Sequence, residues 1–414
     1  MSNSARRMST SFREADIEAV MGNIHSGRST EMIGLGSVGK SNFLRRLSLS
    51  DVQERYLYQR YGEQAHCIFI PIDSNSLLEP LPNAVNQNEP SGWTGYELIA
   101  SRLLRAIMEN SLVDHVKGTN DPAHPENLFR LYHRIWPGEN PNQFAHVVAF
   151  RYLEDLVGRV FAAANRPMRF IFMFDEFEKM LAEMPPRFFR CMRSLRDQYK
   201  DRILFITAAR QITPLLVPQE DYLEYEPFLE LFNDSRHFLL PYRPYDVEQT
   251  FERLAARQDL APPPVRLREQ LLAITGGHAG LLRASFAAWA PDRVLSDGLS
   301  DQEMVALLLN MPSVSDECKT MWRSLSDAER GLLFLLAQRH QAGSAGDIRP
   351  ASSTMARLLI RKGLILGDEY IGFEHIRPNI FAAFVYSLLP ADTARPSGHE
   401  NVVPNFPAGP PMDF

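Results

Sequence analysis

Two hydrophobic rhythms alternate along the first 240 residues. In "FREADIEAVMGNIHSG", apolar residues return at Ile17, Val20, Met21 and Ile24, the spacing of a helix with one buried face. "STEMIG" is too short for a helix and reads as a strand, and "SNFLRRLSL" starts a helix. "HCIFIPID" (His66 to Asp73) is apolar at almost every position, as expected of a strand buried on both faces. "YELIASRLLRAIMEN" and "FAHVVAFRYLEDLVGRVFAAAN" are amphipathic helices. "RFIFMFDEFEKM" is a buried strand ending in acids, "PRFFRCMRSLRDQYK" a helix, and "RILFITAAR" and "HFLLPY" two further strands. Strands alternating with helices predict an α/β fold with a doubly wound parallel sheet.

After Tyr242 only the helical rhythm continues, in "YDVEQTFERLAARQ", "VRLREQLLAIT" and "HAGLLRASFAAW". Near Ser313 the order becomes helix ("SDAERGLLFLLAQRH"), helix ("SSTMARLLIRKG"), hairpin ("LILGDEYIGF"), helix ("RPNIFAAFVYSLL"), which suggests a winged helix. The expected division is an N-terminal helix segment (1–28), an α/β core (29–242), a helical lid (243–312), a winged helix (313–389) and a Pro-rich disordered tail (390–414). Within the core, Ser74 to Gly92 reads as a long loop and Gly118 to Asn142 as an insertion.

Composition narrows the function classes. A chain of 414 residues has room for two or three cores. The net charge of −6 provides no general attraction to nucleic acid or an anionic membrane. Cys67, Cys191 and Cys318 are far apart in sequence and suggest reduced thiols. "MSNSARRMSTSF" has no apolar run of a secretory signal, and "FIFMF" is far too short to span a bilayer, so a cytoplasmic protein is expected.

The stretch "MIGLGSVGKSNFLRRL" fits two phosphate-binding patterns. Gly34, Gly36 and Gly39 match the dinucleotide turn G-x-G-x-x-G, and the same loop with Lys40 and Ser41 matches G-x-x-x-x-G-K-[ST]. A dinucleotide turn requires an acid at the end of the second strand, about twenty residues on. Here that strand ends at Asp73, more than thirty residues past Gly39, so the P-loop reading holds. Its expected phosphate contacts are Gly34, Gly36, Ser37, Val38, Gly39, Lys40, Ser41 and Asn42. Backbone amides surround the anion, Lys40 neutralises it and Ser41 reaches Mg²⁺. "FIFMFDE" supplies Asp175 for the metal and Glu176 to orient the attacking water, although the pair could simply cap the next helix. "RILFITAAR" brings Thr207 and Arg210 to the carboxyl end of a strand, where an arginine could reach a γ-phosphate.

Together these motifs resemble the STAND ATPases, signal-transducing relatives of AAA+ proteins that include the NLR and NB-ARC switches. The resemblance covers about residues 10 to 388. "MIGLGSVGKSNFLRRL" is similar to their Walker A, "RFIFMFDEFE" to their Walker B and "FITAAR" to the strand that ends in a sensor arginine. "GGHAGLL" resembles the lid's G-x-P stretch, with Ala279 in place of the proline, and "FEHIRPNIF" places His375 where the family has a histidine touching the ADP β-phosphate. The resemblance implies a P-loop ASCE/AAA+-like sheet of order 5-1-4-3-2. It also implies an ATP-binding, slowly hydrolysing switch that uses ATP or ADP with Mg²⁺ and whose nucleotide state controls oligomerisation or a partner. Effector and sensor functions are expected from a separate protein, and antiviral defence or stress signalling is the pathway implied.

The alternative is a DNA-acting AAA+ ATPase of the origin-recognition or transposition type. "SSTMARLLIRKG" would then be a recognition helix, with Arg357, Arg361 and Lys362 facing phosphates. Asp368 and Glu369 in the hairpin, and the acidic net charge, oppose that reading. Arg190, Arg193 and Arg196 lie on one helix and could act on a neighbour's nucleotide, or simply form a solvated face.

Overall fold

The computed structural model describes residues 8–77, 92–110, 124, 126–128, 130, 145–164, 166–290, 298–341, 354–368 and 372–389. Most of the loop from Ser74 to Gly92, nearly all of the 118–142 insertion and the whole 390–414 tail lie outside the described residues.

The chain divides into two compact units. One comprises Ser9–Gly34 and Gly39–Leu239, and the other Met1–Met8, Leu35–Val38 and Leu240–Phe414. The first is built on a sheet of β1 (Thr30–Ile33), β2 (His66–Asp73), β3 (Met168–Asp175), β4 (Ile203–Ala209) and β5 (Arg236–Phe238). Its order is β2-β3-β4-β1-β5, and every pair is parallel. Read from the other edge, this is the expected 5-1-4-3-2.

Helices cover the sheet: α1 (Glu14–His25), α2 (Lys40–Leu47), α3 (Trp93–Glu109), α4 (Ala145–Ala163), α5 (Phe177–Glu183), α6 (Pro186–Tyr199) and α7 (Tyr222–Leu229). Burial on both faces explains why β3 and β4 are apolar at almost every position. Phe170, Phe172, Phe174 and Phe205 of the sheet share one core with Phe177, Phe189 and Phe228 of the helices, where Phe174 lies tilted against Phe177 and Phe205 against Phe228. Two strand readings need correction. "RFIFMFDEFEKM" stops being strand at Asp175 because Glu176 turns left-handed (φ 50°, ψ 48°) and caps α5. The fifth strand begins at Arg236 and ends at Phe238, before Pro241 of "HFLLPY".

The second unit is helical: α8 (Pro244–Arg257), α9 (Val265–Thr275), α10 (Ala279–Trp289), α11 (Asp301–Leu309), α12 (Pro312–Arg323), α13 (Asp327–Gln341), α14 (Thr354–Arg361) and α15 (Asn379–Ser387). A hairpin of β6 (Ile365–Asp368) and β7 (Gly372–Ile376) stands between the last two. Ser300 and Glu303 form a reciprocal capping box that starts α11. Inside this unit Lys362 and Glu329 form an ion pair of 2.7 Å with both side chains fully buried. Among the described residues, no helix is long and apolar enough to cross a membrane.

Candidate functional site

Both ends of the phosphate loop are set by the sheet unit. Ile33 ends β1, and the Gly34 amide donates to the Ala209 carbonyl at 3.1 Å, tying the loop's start to the end of β4. Gly39 caps α2 at φ 104°, a conformation that side chains rarely adopt. The first-turn amides of α2 carry the positive end of its dipole, which suits an anion. Lys40 is the first residue of that helix, is buried, and donates from Nζ to the Gly34 carbonyl at 2.8 Å. Burial pulls its ammonium down to about 8, against the opposing pull of Glu178, Glu176 and Asp175.

The carboxylates come from the end of β3. Asp175 is the cross-strand partner of Asp73, and its carbonyl accepts from Ser74 Oγ at 2.7 Å. Burial raises the Asp175 carboxyl above its usual range, while a hydrogen bond from Ser41 opposes that rise. The metal-site candidates Ser41 and Asp175 are therefore adjacent: one hydroxyl and one carboxylate of the hard-oxygen type that Mg²⁺ prefers. That donor set fits a magnesium–nucleotide complex. Asn42 is exposed and accepts from Arg45.

Glu176 and Arg210 are brought together from strands that are neighbours in the sheet but far apart in sequence. Arg210 donates to Glu176 Oε2 at 2.8 Å, and its Nε lies 3.2 Å from Glu178 Oε1. Thr207 does not join them. It pairs with Phe174 and Glu31, so strand alternation turns it to the face opposite Asp175, where it is fully buried.

The loop tip Leu35–Val38 groups with the helical unit. His278 is fully buried between a glycine pair and α10. Its Nε2 meets the Gly36 carbonyl at 3.0 Å, and Nδ1 accepts weakly from the Leu281 amide at 3.5 Å. The Gly280 amide donates to the Ser37 carbonyl at 3.1 Å. A Cβ on Gly36 would lie 2.9 Å from Thr320 Cγ2 and 3.0 Å from the Thr320 carbonyl oxygen, so a larger residue would force that neighbour to shift. Val38 is buried and Ser37 takes φ 59°.

His278 went unnoticed in the sequence, although the "GGHAG" setting marked a tight backbone passage. His375, the histidine expected at the nucleotide, lies exposed on β7 with its ring 6.1 Å from that of His340. It is His278 that touches the loop tip. The phosphate-facing role that the DNA-acting alternative gives Lys362 is not met, because its ammonium is buried against Glu329. Arg190, Arg193 and Arg196 are paired on the α6 surface with Glu224, Asp197 and Glu230. Glu178 was the other residue missed; its signal was a third acid in "DEFE".

No protein-family model matches the chain, and no curated protein matches it in sequence. Solved structures do match. A Walker-type ATPase of Pyrococcus abyssi is similar with a TM-score of 0.50 and 15% identity, over 90% of this chain and 95% of that one. Cdc6p of Pyrobaculum aerophilum has a TM-score of 0.37 and 12% identity, over 93% and 96%. The Orc1 protein of Aeropyrum pernix, solved in complex with DNA, has a TM-score of 0.37 and 11% identity, over 91% and 92%. The first of these likenesses, together with the sheet order, places the chain in the P-loop ATPase fold of the AAA+/ASCE type.

Proposed function

We propose that the chain is an ATP-binding, ATP-hydrolysing P-loop enzyme. The observation that carries this is the convergence of Lys40, Ser41, Asp175, Glu176 and Arg210 at the carboxyl ends of β1, β3 and β4. When bound, magnesium–ATP supplies an electrophilic γ-phosphorus and a dication that shields its charge. Lys40 would offset the β- and γ-phosphate charge, and Ser41 and Asp175 would hold the metal. Glu176 would accept the proton of the attacking water once Arg210 leaves it for the γ-phosphate. In the arrangement described, Arg210 occupies the Glu176 carboxylate, so the base is neutralised until a competing anion arrives. Adenine is the base implied by the resemblance.

The finer reading is a switch of the STAND type. Only contacts that differ between ADP and ATP can move a conformational population, and a full reversal takes about 5.5 kcal/mol. The release of Glu176 and capture of Arg210 by the γ-phosphate are differential contacts of that kind. The readout would be self-assembly or engagement of a separate effector, in antiviral defence or stress signalling. The test is calorimetry with ATP and ADP, then mass photometry with ADP against a non-hydrolysable ATP analogue. No binding heat refutes the ATPase reading, and identical mass and shape in both nucleotides refutes the switch.

The second reading is a DNA-acting ATPase of the origin-recognition or transposition type. In this chain its support is the helix and hairpin of α14, β6 and β7, with Arg357 and Arg361 on α14. Filter binding across a salt series tests it. Phosphate contacts give a steep negative slope, and a flat response rejects it.

A further inference from the structure

We propose that Glu178 is a positioning residue: it anchors the Nε edge of Arg210 so that the other edge of the guanidinium exchanges between Glu176 and a γ-phosphate. The geometry of the pair carries this. Glu178 is in the first turn of α5, two residues past the base, and its Oε1 lies 3.2 Å from Arg210 Nε while Arg210 donates its NH₂ edge to Glu176 at 2.8 Å. Both Glu178 oxygens are shut off from solvent and neither has a hydrogen-bond partner, so the Arg210 guanidinium faces Oε1 as an ion pair. A carboxylate that merely served helix solubility would face water.

Arg210 is itself 41% exposed, so an anion arriving from solvent can reach it. Its planar fork of donors can serve two carboxylates at once, which a lysine ammonium on a flexible stem would not do in a defined orientation. Glu178 is also the carboxylate that acts most strongly on Lys40, which places it inside the charge cluster and not at its rim. Held at Nε, Arg210 can turn from Glu176 to an incoming anion without leaving the site. Released at Nε, it would follow either partner freely, and the link between γ-phosphate binding and liberation of the base would loosen.

This inference rests on the ATPase reading, and the test separates the two. Glu178→Gln, Glu178→Asp, Arg210→Ala and the Glu178→Gln/Arg210→Ala double variant are made in the full chain. ATP and ADP affinities are measured by calorimetry, and hydrolysis under single-turnover conditions. Glu178→Gln is expected to lower the preference for ATP over ADP about tenfold. Glu178→Asp, which keeps the charge but draws it back by one methylene, should lose part of that preference. It carries the comparison if Glu178→Gln does not fold. The double variant should be no worse than Arg210→Ala alone. A Glu178→Gln protein with the parental ratio, an equal loss of ADP and ATP binding, or losses that multiply in the double variant would overturn the inference. A parent protein that binds neither nucleotide overturns the ATPase reading instead.

Discussion

Replacing Lys362 by methionine removes an ammonium while keeping most of its apolar stem, and so isolates one charge. Lys362 donates to Glu329 Oε1 at 2.7 Å with both side chains at 0% exposure. Burial pushes the lysine down and Glu329 holds it up, so the charged form depends on its partner. The other Glu329 oxygen already accepts from the Ser326 amide and hydroxyl in the first turn of α13. Lys362→Met therefore takes the charged donor away from a fully buried carboxylate. Such a half-broken pair costs about 3 to 5 kcal/mol. At about 1.4 kcal/mol per factor of ten, that is a hundredfold or more in local opening.

Hydrogen exchange read by mass spectrometry localises the effect: amides from Leu358 to Leu364 should exchange at least about a hundredfold faster. Adding Glu329→Gln removes the stranded charge yet keeps an acceptor for Ser326, so most of the protection should return. Because the ammonium is internal, Lys362→Met should leave the salt slope of any DNA binding unchanged, whereas a phosphate contact would lower it by about one. If exchange stays within a factor of about three of the parent, or the DNA slope drops, Lys362 is not the buried partner described.

Lys40→Ala should abolish nucleotide binding in calorimetry, and retention of either nucleotide would show that the loop is not the phosphate site. Glu176→Gln should keep ATP affinity while single-turnover hydrolysis falls by a factor on the order of a hundred or more; parental turnover would reassign the base. His278→Ala should destabilise the helical unit by about 1 to 3 kcal/mol in urea unfolding, because it leaves the buried Gly36 carbonyl without its donor. Burial alone would raise the Glu63 carboxyl, but the Ala65 amide, the Arg169 guanidinium and the His25 ring together hold it below its usual range. Its stabilising contribution is therefore present at neutral pH and is lost as pH falls through the lowered value. Glu63→Gln should cost about 1 to 2 kcal/mol at pH 7, with the gap to the parent closing in strong acid; a gap independent of pH would assign the loss to packing.

Local information sufficed for much of this protein. The five strands, most of the helices around them and the loop from Gly34 to Ser41 were legible because each is written in consecutive residues. An apolar run demands burial on two faces, a 3.6-residue rhythm demands one buried face, and a glycine-rich loop ending in Lys-Ser has few uses other than holding phosphate. The adjacency of Asp175 to Ser41 of that loop followed from the same logic at the end of another apolar strand, β3. What only the tertiary structure decided depended on contacts between residues far apart in sequence. Pleat and register turned Thr207 away from Asp175. Lys362 read as a surface cation until packing enclosed it against Glu329, thirty-three positions earlier. His278, and not His375, reached the loop tip, and Glu178 joined Arg210 across two strands. Charge and imidazole chemistry carry no periodic signature, so their roles are set by whatever the folded chain places within about 3 Å of them.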